Sequence, residues 1–451
     1  MKKLLYIFLC LLVPWVSWAD IDCDYTTLSN AVSAASPGDT ITCNAGSWTY
    51  TQELTVTKGI SIQGGGIGIT TITKNFSGPG EVANHGLIAY RPDAAAVAAD
   101  NLFRLTGFTI NGGGSGSYED GCAIMLRNTS VTGVYNVRVD NNRITNTRRG
   151  LWVQGNVWGV ADNNTLDDFY HGMDAEGISD GDDQWDNLSR TFGSVDNMYF
   201  EDNTLTFNNS DVGFAGGHGG RYVARYNDII NDSGVNIFPV FDMHGNQPTT
   251  ITGMMINEVY GNDVDLAAAA GRVFDQRGGM SLLFYNKVEG TGTSNMHARE
   301  EYLDANYPSG NSYLMHITNS YYWGNYFDSV LLVRSGIVLT RNQYEDTYDL
   351  AENTDFWFHN TSYNGTSEIG VYAGSSLPAN CATGDGAWIT TQSTSDLTGM
   401  IGVDPVTQIS GTLYKCTSTD TWAEYYTPYT YPHPLRDAEV PTNTITGVNI
   451  N

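Results

Sequence analysis

The chain has 451 residues, 41% of them hydrophobic and 12% aromatic, enough apolar material for a large core and too much for a disordered tail. Asp and Glu number 49 against 22 Lys and Arg, a formal charge of −27 that repels the phosphate backbone on which nucleic-acid affinity depends, so a nucleic-acid partner is not expected. Only 16% of residues are charged and 27 are tyrosines, which argues against helical repeats and for an all-β chain.

Residues 1–19 read as a secretory leader: Lys2 and Lys3, an apolar run from Leu4 to Val13, then Ser17, Trp18 and Ala19 as a small-x-small ending before Asp20. That run is too short to span a bilayer and no later stretch reaches eighteen apolar residues, so the expectation is a secreted, periplasmic or cell-surface protein without a membrane span. Export permits disulfides. Cys23 and Cys43 bracket the N-terminal segment and Cys381 and Cys416 the C-terminal one, so these two local pairings are expected, with Cys122 left as a buried free thiol.

Leu28, Ala31, Val32 and Ala35 share a helical face that ends at Pro37-Gly38-Asp39, a short helix placed to cap one end of a strand stack. Short strands follow, and then a recurrent phrase, an apolar run ending in Asn: VRVDNNRI, WGVADNNTL, MYFEDNTL, YVARYNDI, NEVYGNDV, LLFYNKV, YYWGNYF and IVLTRNQY. The asparagines are 142, 164, 203, 227, 262, 286, 325 and 342, at intervals of 22, 39, 24, 35, 24, 39 and 17, which read as one repeat with inserted loops. Strand repeats of that length, each ending at an inward-turned Asn, predict a parallel solenoid in which the Asn side chains bond to one another and to turn backbone.

The opening PGDTI…AGSWTYTQELTVTKGISIQGGG and the Asn-ended strands resemble the right-handed parallel β-helix, or pectate-lyase-like, superfamily over roughly residues 20 to 359. HGGRYVARYN and QRGGMSLLFYN look like an exported, poorly characterised branch of it. The resemblance implies the fold firmly and activity loosely, because lyases, hydrolases, tailspikes and adhesins share the architecture. The Trp-x-Asp-His and Arg-x-Pro-x-x-Arg phrases of pectate lyases are missing, as is the ordered paired-Asp and Arg-x-Lys pattern of polygalacturonases. The division expected is a leader over 1–19, a right-handed β-helix over 20–375, and over 376–451 a small disulfide-closed β cap with an extended tail, shielding the last turn.

Three clusters could carry chemistry. Aligning the repeats on their terminal Asn puts His218, Arg277 and His316 in one column, with His218 and Arg277 two turns, or roughly 10 Å, apart. Arg221, Arg225, Asp242, His244, Arg272 and Asp275 crowd the same sixty residues. The insert LDDFYHGMDAEGISDGDDQWDN carries Asp174, Glu176, Asp180, Asp182 and Asp183, whose mutual repulsion a hard divalent cation such as Ca²⁺ would relieve; no organic cofactor is expected. Arg127, Arg138, Arg143, Arg148 and Arg149 form a basic run that could hold an acidic sugar, Arg148 and Arg149 foremost.

The reading is a secreted protein that cleaves a uronate-type polysaccharide. In β-elimination, Arg277 or His218 would be base, His244 or Arg221 the electrostatic partner, and Arg225, Arg272 and His316 would bind substrate. In hydrolysis, Asp242 and Asp275 would flank the scissile bond. Elimination is favoured. The rival is a non-catalytic surface β-helix that binds glycans or self-assembles through its Tyr and Trp rings, and the sequence leaves its oligomeric state open.

Overall fold

Seven of the eight repeats end in the same local device; Asn342, the eighth asparagine, lies outside the described residues. The residue before the repeat asparagine takes a left-handed conformation, Asn141, Asn163, Asp202, Tyr226, Gly261, Tyr285 and Gly324 with φ between 51° and 68°, which turns the chain sharply and drives the next side chain inward. Asn142, Asn164, Asn203, Asn227, Asn262, Asn286 and Asn325 are all buried there. The backbone N–H of each donates to the Oδ1 of the next, from Asn142 to Asn164 at 3.1 Å through to Asn286 to Asn325 at 3.2 Å. Each Nδ2 also donates to strand carbonyls, so a polar column runs through the interior with its hydrogen bonds satisfied.

A computed structural model describes residues 20–76, 85–114, 121–177, 189–208, 212–231, 237, 239–246, 252–266, 272–290, 296–301, 315–340, 350–374, 376–437 and 444–445. The chain there is nearly all β. A twelve-stranded parallel sheet runs from Thr40–Thr42 to Phe356–Phe358, with Thr444–Ile445 at its first edge, and a second set of parallel strands curls round to enclose the core. The two sets alternate along the chain: Arg221–Arg225, Asp228–Ile230 and Phe241–Met243 form one turn of a coil, and Ile256–Tyr260, Asp263–Asp265 and Phe274–Gln276 the next, each in register on the last. Inside, Leu151, Met173, Phe214, Phe241, Phe274 and Met296 align in one column, and the rings of Phe214, Phe241 and Phe274 stack at 5.2 Å.

The N-terminal helix Tyr25–Ala34 is present as expected, capped by the Asp24 carboxylate and burying Leu28, Ala31 and Val32. Cys23 pairs with Cys43 and Cys381 with Cys416, and Cys122 is a buried free thiol. No helix among the described residues is long and apolar enough to cross a membrane.

The C-terminal region departs from expectation. It holds a four-stranded sheet that begins at Ile369–Ala373, ahead of residue 376. It lies on the outward face of the large sheet, with Trp388 against Trp323 and Phe284 and the Tyr321 hydroxyl donating to Gly384 O at 2.6 Å. The physical reason is the outward column Tyr260, Phe284 and Trp323, whose rings stack at 4.5 and 4.3 Å and need cover. From Tyr425 to Arg436 the chain then runs back across earlier strands as a strap. Buried Arg225 donates to the carbonyls of Tyr429 and Thr430, Arg138 to those of Leu435 and Arg436, and Arg436 pairs with Glu201 and Asp202.

Candidate functional site

The curled set of strands presents a different outward face. In register one step away from the phenylalanine column stand Trp152, Asp174, Ala215, Asp242, Asp275 and His297, and these positions point outward because their neighbours point in. Arg277 follows the strand Phe274–Gln276 and Arg299 closes the next, Met296–Arg299. Arginine and carboxylate alternate across this face. Arg277 spans Asp242 at 2.5 Å and Glu301 at 3.0 Å, Arg299 spans Asp275 at 3.2 Å and Glu301 at 3.1 Å, and Arg272 pairs with Asp275. Further down the stack Arg149 pairs with Asp174 at 2.5 Å and Glu176 at 3.0 Å, and His171 meets Asp174 at 3.1 Å.

Burial raises the cost of ionising every group here, and the neighbours decide the outcome. Burial pushes the Asp275 carboxyl up, and the charge of Asp242 in the next strand pushes it further, against the pull of Arg277, Arg299 and Arg272. One Asp275 oxygen, Oδ1, is buried with no hydrogen-bond partner. Burial likewise opposes ionisation of Asp174 and Glu176, but His171 and Arg149 for the first, and Arg149 for the second, bring both below the usual carboxylate range. His244 is held near 4 by burial and by Arg277, so it is neutral at neutral pH, with Nδ1 3.1 Å from Gly245 O. Burial works against the charge of Arg277, yet Asp242 and Glu301 more than offset it and hold its proton more tightly than in water.

The structure thus brings Asp242, His244, Arg272, Asp275 and Arg277 together, with Asp174, Glu176 and Arg149 beside them. His218 occupies the neighbouring turn with φ 51° and adds its field to that at Glu176. The column that paired His218 with Arg277 is off by one residue. Gly216 aligns with Gln276 through Met243, and Arg221 with Met280 through Ile256, so five steps on one turn answer to four on the other. Arg277 therefore stacks beyond His244, whereas His218 sits in the extra residue.

Other candidates lie elsewhere. Arg225 is on the large sheet, wholly buried against Glu201 and the strap, where it does not face the cluster. Arg221 begins the same strand of that sheet, over the Trp158 ring at 5.2 Å, its pKa lowered to about 10 by burial. His316 bonds buried Glu300 at 2.7 Å. The arginine run does not form a patch: Arg138 pairs with Asp162 on the large sheet, Arg143 pairs with Asp167, Arg148 lies 3.3 Å over the Tyr170 ring while its charge is felt at Asp174, and Arg149 pairs with Asp174 and Glu176 in the cluster.

Within the acidic insert, Arg149 already engages Asp174 and Glu176 and offsets their mutual repulsion. Asp180, Asp182 and Asp183 lie outside the described residues. Among the described residues, no group of three or more His, Cys, Asp or Glu is placed to hold a metal ion. Sequence reasoning missed His171, His297, Arg299 and Glu301. The alternation of HARE from His297 to Glu300, one turn after FDQR, was the available signal.

No family model matches the chain, and no curated protein does. Among solved structures it is similar to ORF18 of Geobacillus virus E2, at 11% identity and a TM-score of 0.30, over 90% of this chain and 75% of that one. A likeness that weak carries no argument about fold or function.

Proposed function

We propose that the coil is a right-handed parallel β-helix of the pectate-lyase-like kind, exported from the cell, that hydrolyses a glycosidic bond of a polysaccharide between Asp242 and Asp275. The hand follows from the general rule that crossovers joining parallel strands of one sheet are right-handed in about 98% of cases. Two disulfides fit an oxidising compartment. The observation that carries the activity is the carboxyl pair in adjacent, in-register strands, one of them raised in pKa with an unbonded oxygen. Adjacent strands stand roughly 4.8 Å apart, near the ~5–5.5 Å between the carboxyls of retaining glycosidases.

Asp275, whose proton affinity is raised by burial and by the charge of Asp242, would donate to the leaving oxygen. Asp242, which accepts two hydrogen bonds from Arg277, would attack the anomeric carbon, and water would then release the sugar. Hydrolysis is preferred to β-elimination because Arg277, one of the two candidate bases, is clamped by two carboxylates and holds its proton more tightly. A second reading has its own support: Asp275 is only 1% exposed, as suits an ion-pair staple in a glycan-binding or self-assembling surface protein.

The test is purified protein on a panel of neutral and acidic polysaccharides, scored for new reducing ends and for the ultraviolet absorbance of unsaturated uronates. Reducing ends without absorbance, lost roughly 10²–10⁴-fold in Asp275→Asn, are expected. The rate should fall as pH rises through the raised Asp275 pKa, because the proton to be donated is then gone. Absorbance would restore the lyase, and glycan binding without either product would favour the staple.

A further inference from the structure

The strap does more than cover the large sheet. Between 408–411 and 427–431 it leaves a cleft of about 270 Å³, close to the lower end of small-molecule pockets at roughly 300–1,000 Å³. None of the ten residues lining it is charged, in a chain whose formal charge is −27. Three are tyrosines, Tyr226, Tyr429 and Tyr431, and the exposed rim is polar, with Gln408, Ser410, Thr427 and Thr430.

The rings are fixed before any ligand arrives. The Tyr226 hydroxyl accepts from the Ile409 N–H at 2.8 Å, and the Tyr431 hydroxyl donates to Asp202 at 2.8 Å. Their centroids stand 4.3 Å apart, inclined at 54°, while the Tyr429 ring leans on Tyr199 at 5.1 Å. Tyr226, only 1% exposed, backs the cleft, and the half-buried rings of Tyr429 and Tyr431 supply its accessible aromatic surface. A ligand suited to such a place has an apolar face for the rings, hydroxyls at its edge for the rim, and no charge to desolvate. Rigid tyrosines also lose little entropy on binding.

We propose that this cleft binds one neutral sugar ring, a hexose or N-acetylhexosamine at the end or branch of a glycan. It lies on the face opposed to the Asp242 and Asp275 cluster and is independent of hydrolysis there. A single ring held this way should bind with a dissociation constant on the order of 1–10 mM.

The test is titration of the full chain, by ligand-observed magnetic resonance, with methyl glycosides of neutral hexoses and N-acetylhexosamines and with methyl galacturonide as the charged comparison. At least one neutral glycoside should saturate and the galacturonide should not. Ser410→Trp and Thr427→Trp, which fill the cleft from opposite rims, should each weaken binding tenfold or more with the melting temperature unchanged. Asp275→Asn should leave binding intact, so this assignment and the hydrolytic one fail separately. Absence of saturation by every neutral glycoside, equal binding of the galacturonide, full binding in a stably folded rim variant, or loss of binding in Asp275→Asn would each overturn the assignment.

Discussion

The two outward faces of the coil solve the same problem in opposite ways. On the large sheet the column Val160, Tyr199, Val223, Glu258, Leu282, Tyr321 and Trp357 is apolar but for one carboxylate, and the C-terminal region covers it. On the curled set the outward column carries Asp174, Asp242, Asp275 and His297, and charges are balanced pair by pair by arginines within the face itself. The first face is held by burial of area, which is non-directional. The second depends on geometry, since each buried charge is costly unless its partner is in place. A face of the second kind is where unusual proton affinities arise.

Arg225 is where the two principles meet, since it is a buried charge inside the apolar face. It bonds Glu201 at 2.8 Å, the Tyr260 hydroxyl at 2.9 Å and two strap carbonyls. Arg225→Ala should cost about 3–5 kcal/mol, because Glu201 is left buried and short of a partner. Denaturant unfolding measures the loss, and limited proteolysis between 425 and 437 should cut the variant faster. An uncut strap would mean that its aromatic contacts suffice without this anchor. Asn227→Ala should follow at about 2–4 kcal/mol, since it strands the N–H of Asn203 and breaks the polar column in mid-stack.

These two residues also show what could be read in the sequence. The asparagine column was legible because a turn needs the same inward amide in every repeat, so the residue recurs at a countable position. The candidate cluster was legible in composition but not in alignment, because one added residue near His218 shifts the count while leaving the strands in register. The role of Arg225 was hidden altogether. Its partners Tyr429 and Thr430 lie 204 and 205 residues away, and a backbone carbonyl has no sequence signature. The covered face did leave a trace. MSLLF and SYYW scarcely alternate, as befits strands buried on both sides, and that pattern points to a covering element over the sheet.

Glu258 sharpens the contrast between the faces. Its carboxylate accepts from the Gly193 N–H and the Tyr426 hydroxyl, both at 2.7 Å, but burial prevails and raises its pKa to about 7. A carboxyl raised in the folded state contributes its stability in full below the unfolded pKa near 4.5, and loses it as pH rises through about 7. The strap should therefore loosen between those values and above. Glu258→Gln keeps the shape, removes the ionisation, and should gain roughly 3 kcal/mol over the parent at pH 8, with no gain at pH 4. Melting curves at the two pH values decide it, and an equal effect at both would show that Glu258 does not titrate against the strap.

The smallest effect should come from the Arg143–Asp167 pair, which resembles Arg225–Glu201 on paper, an arginine and a carboxylate one turn of the coil apart at 2.8 Å. The difference is solvent. The Arg143 side chain is 46% exposed and that of Arg225 not at all. Water screens the first pair and solvates either partner left alone, so Arg143→Ala should cost about 0–1 kcal/mol, fading further in high salt. Equal losses in Arg143→Ala and Arg225→Ala would mean that burial is not what separates the structural charges of this coil from its surface ones. The case for Asp275 as a proton donor would weaken with it, because that case rests on burial raising its proton affinity.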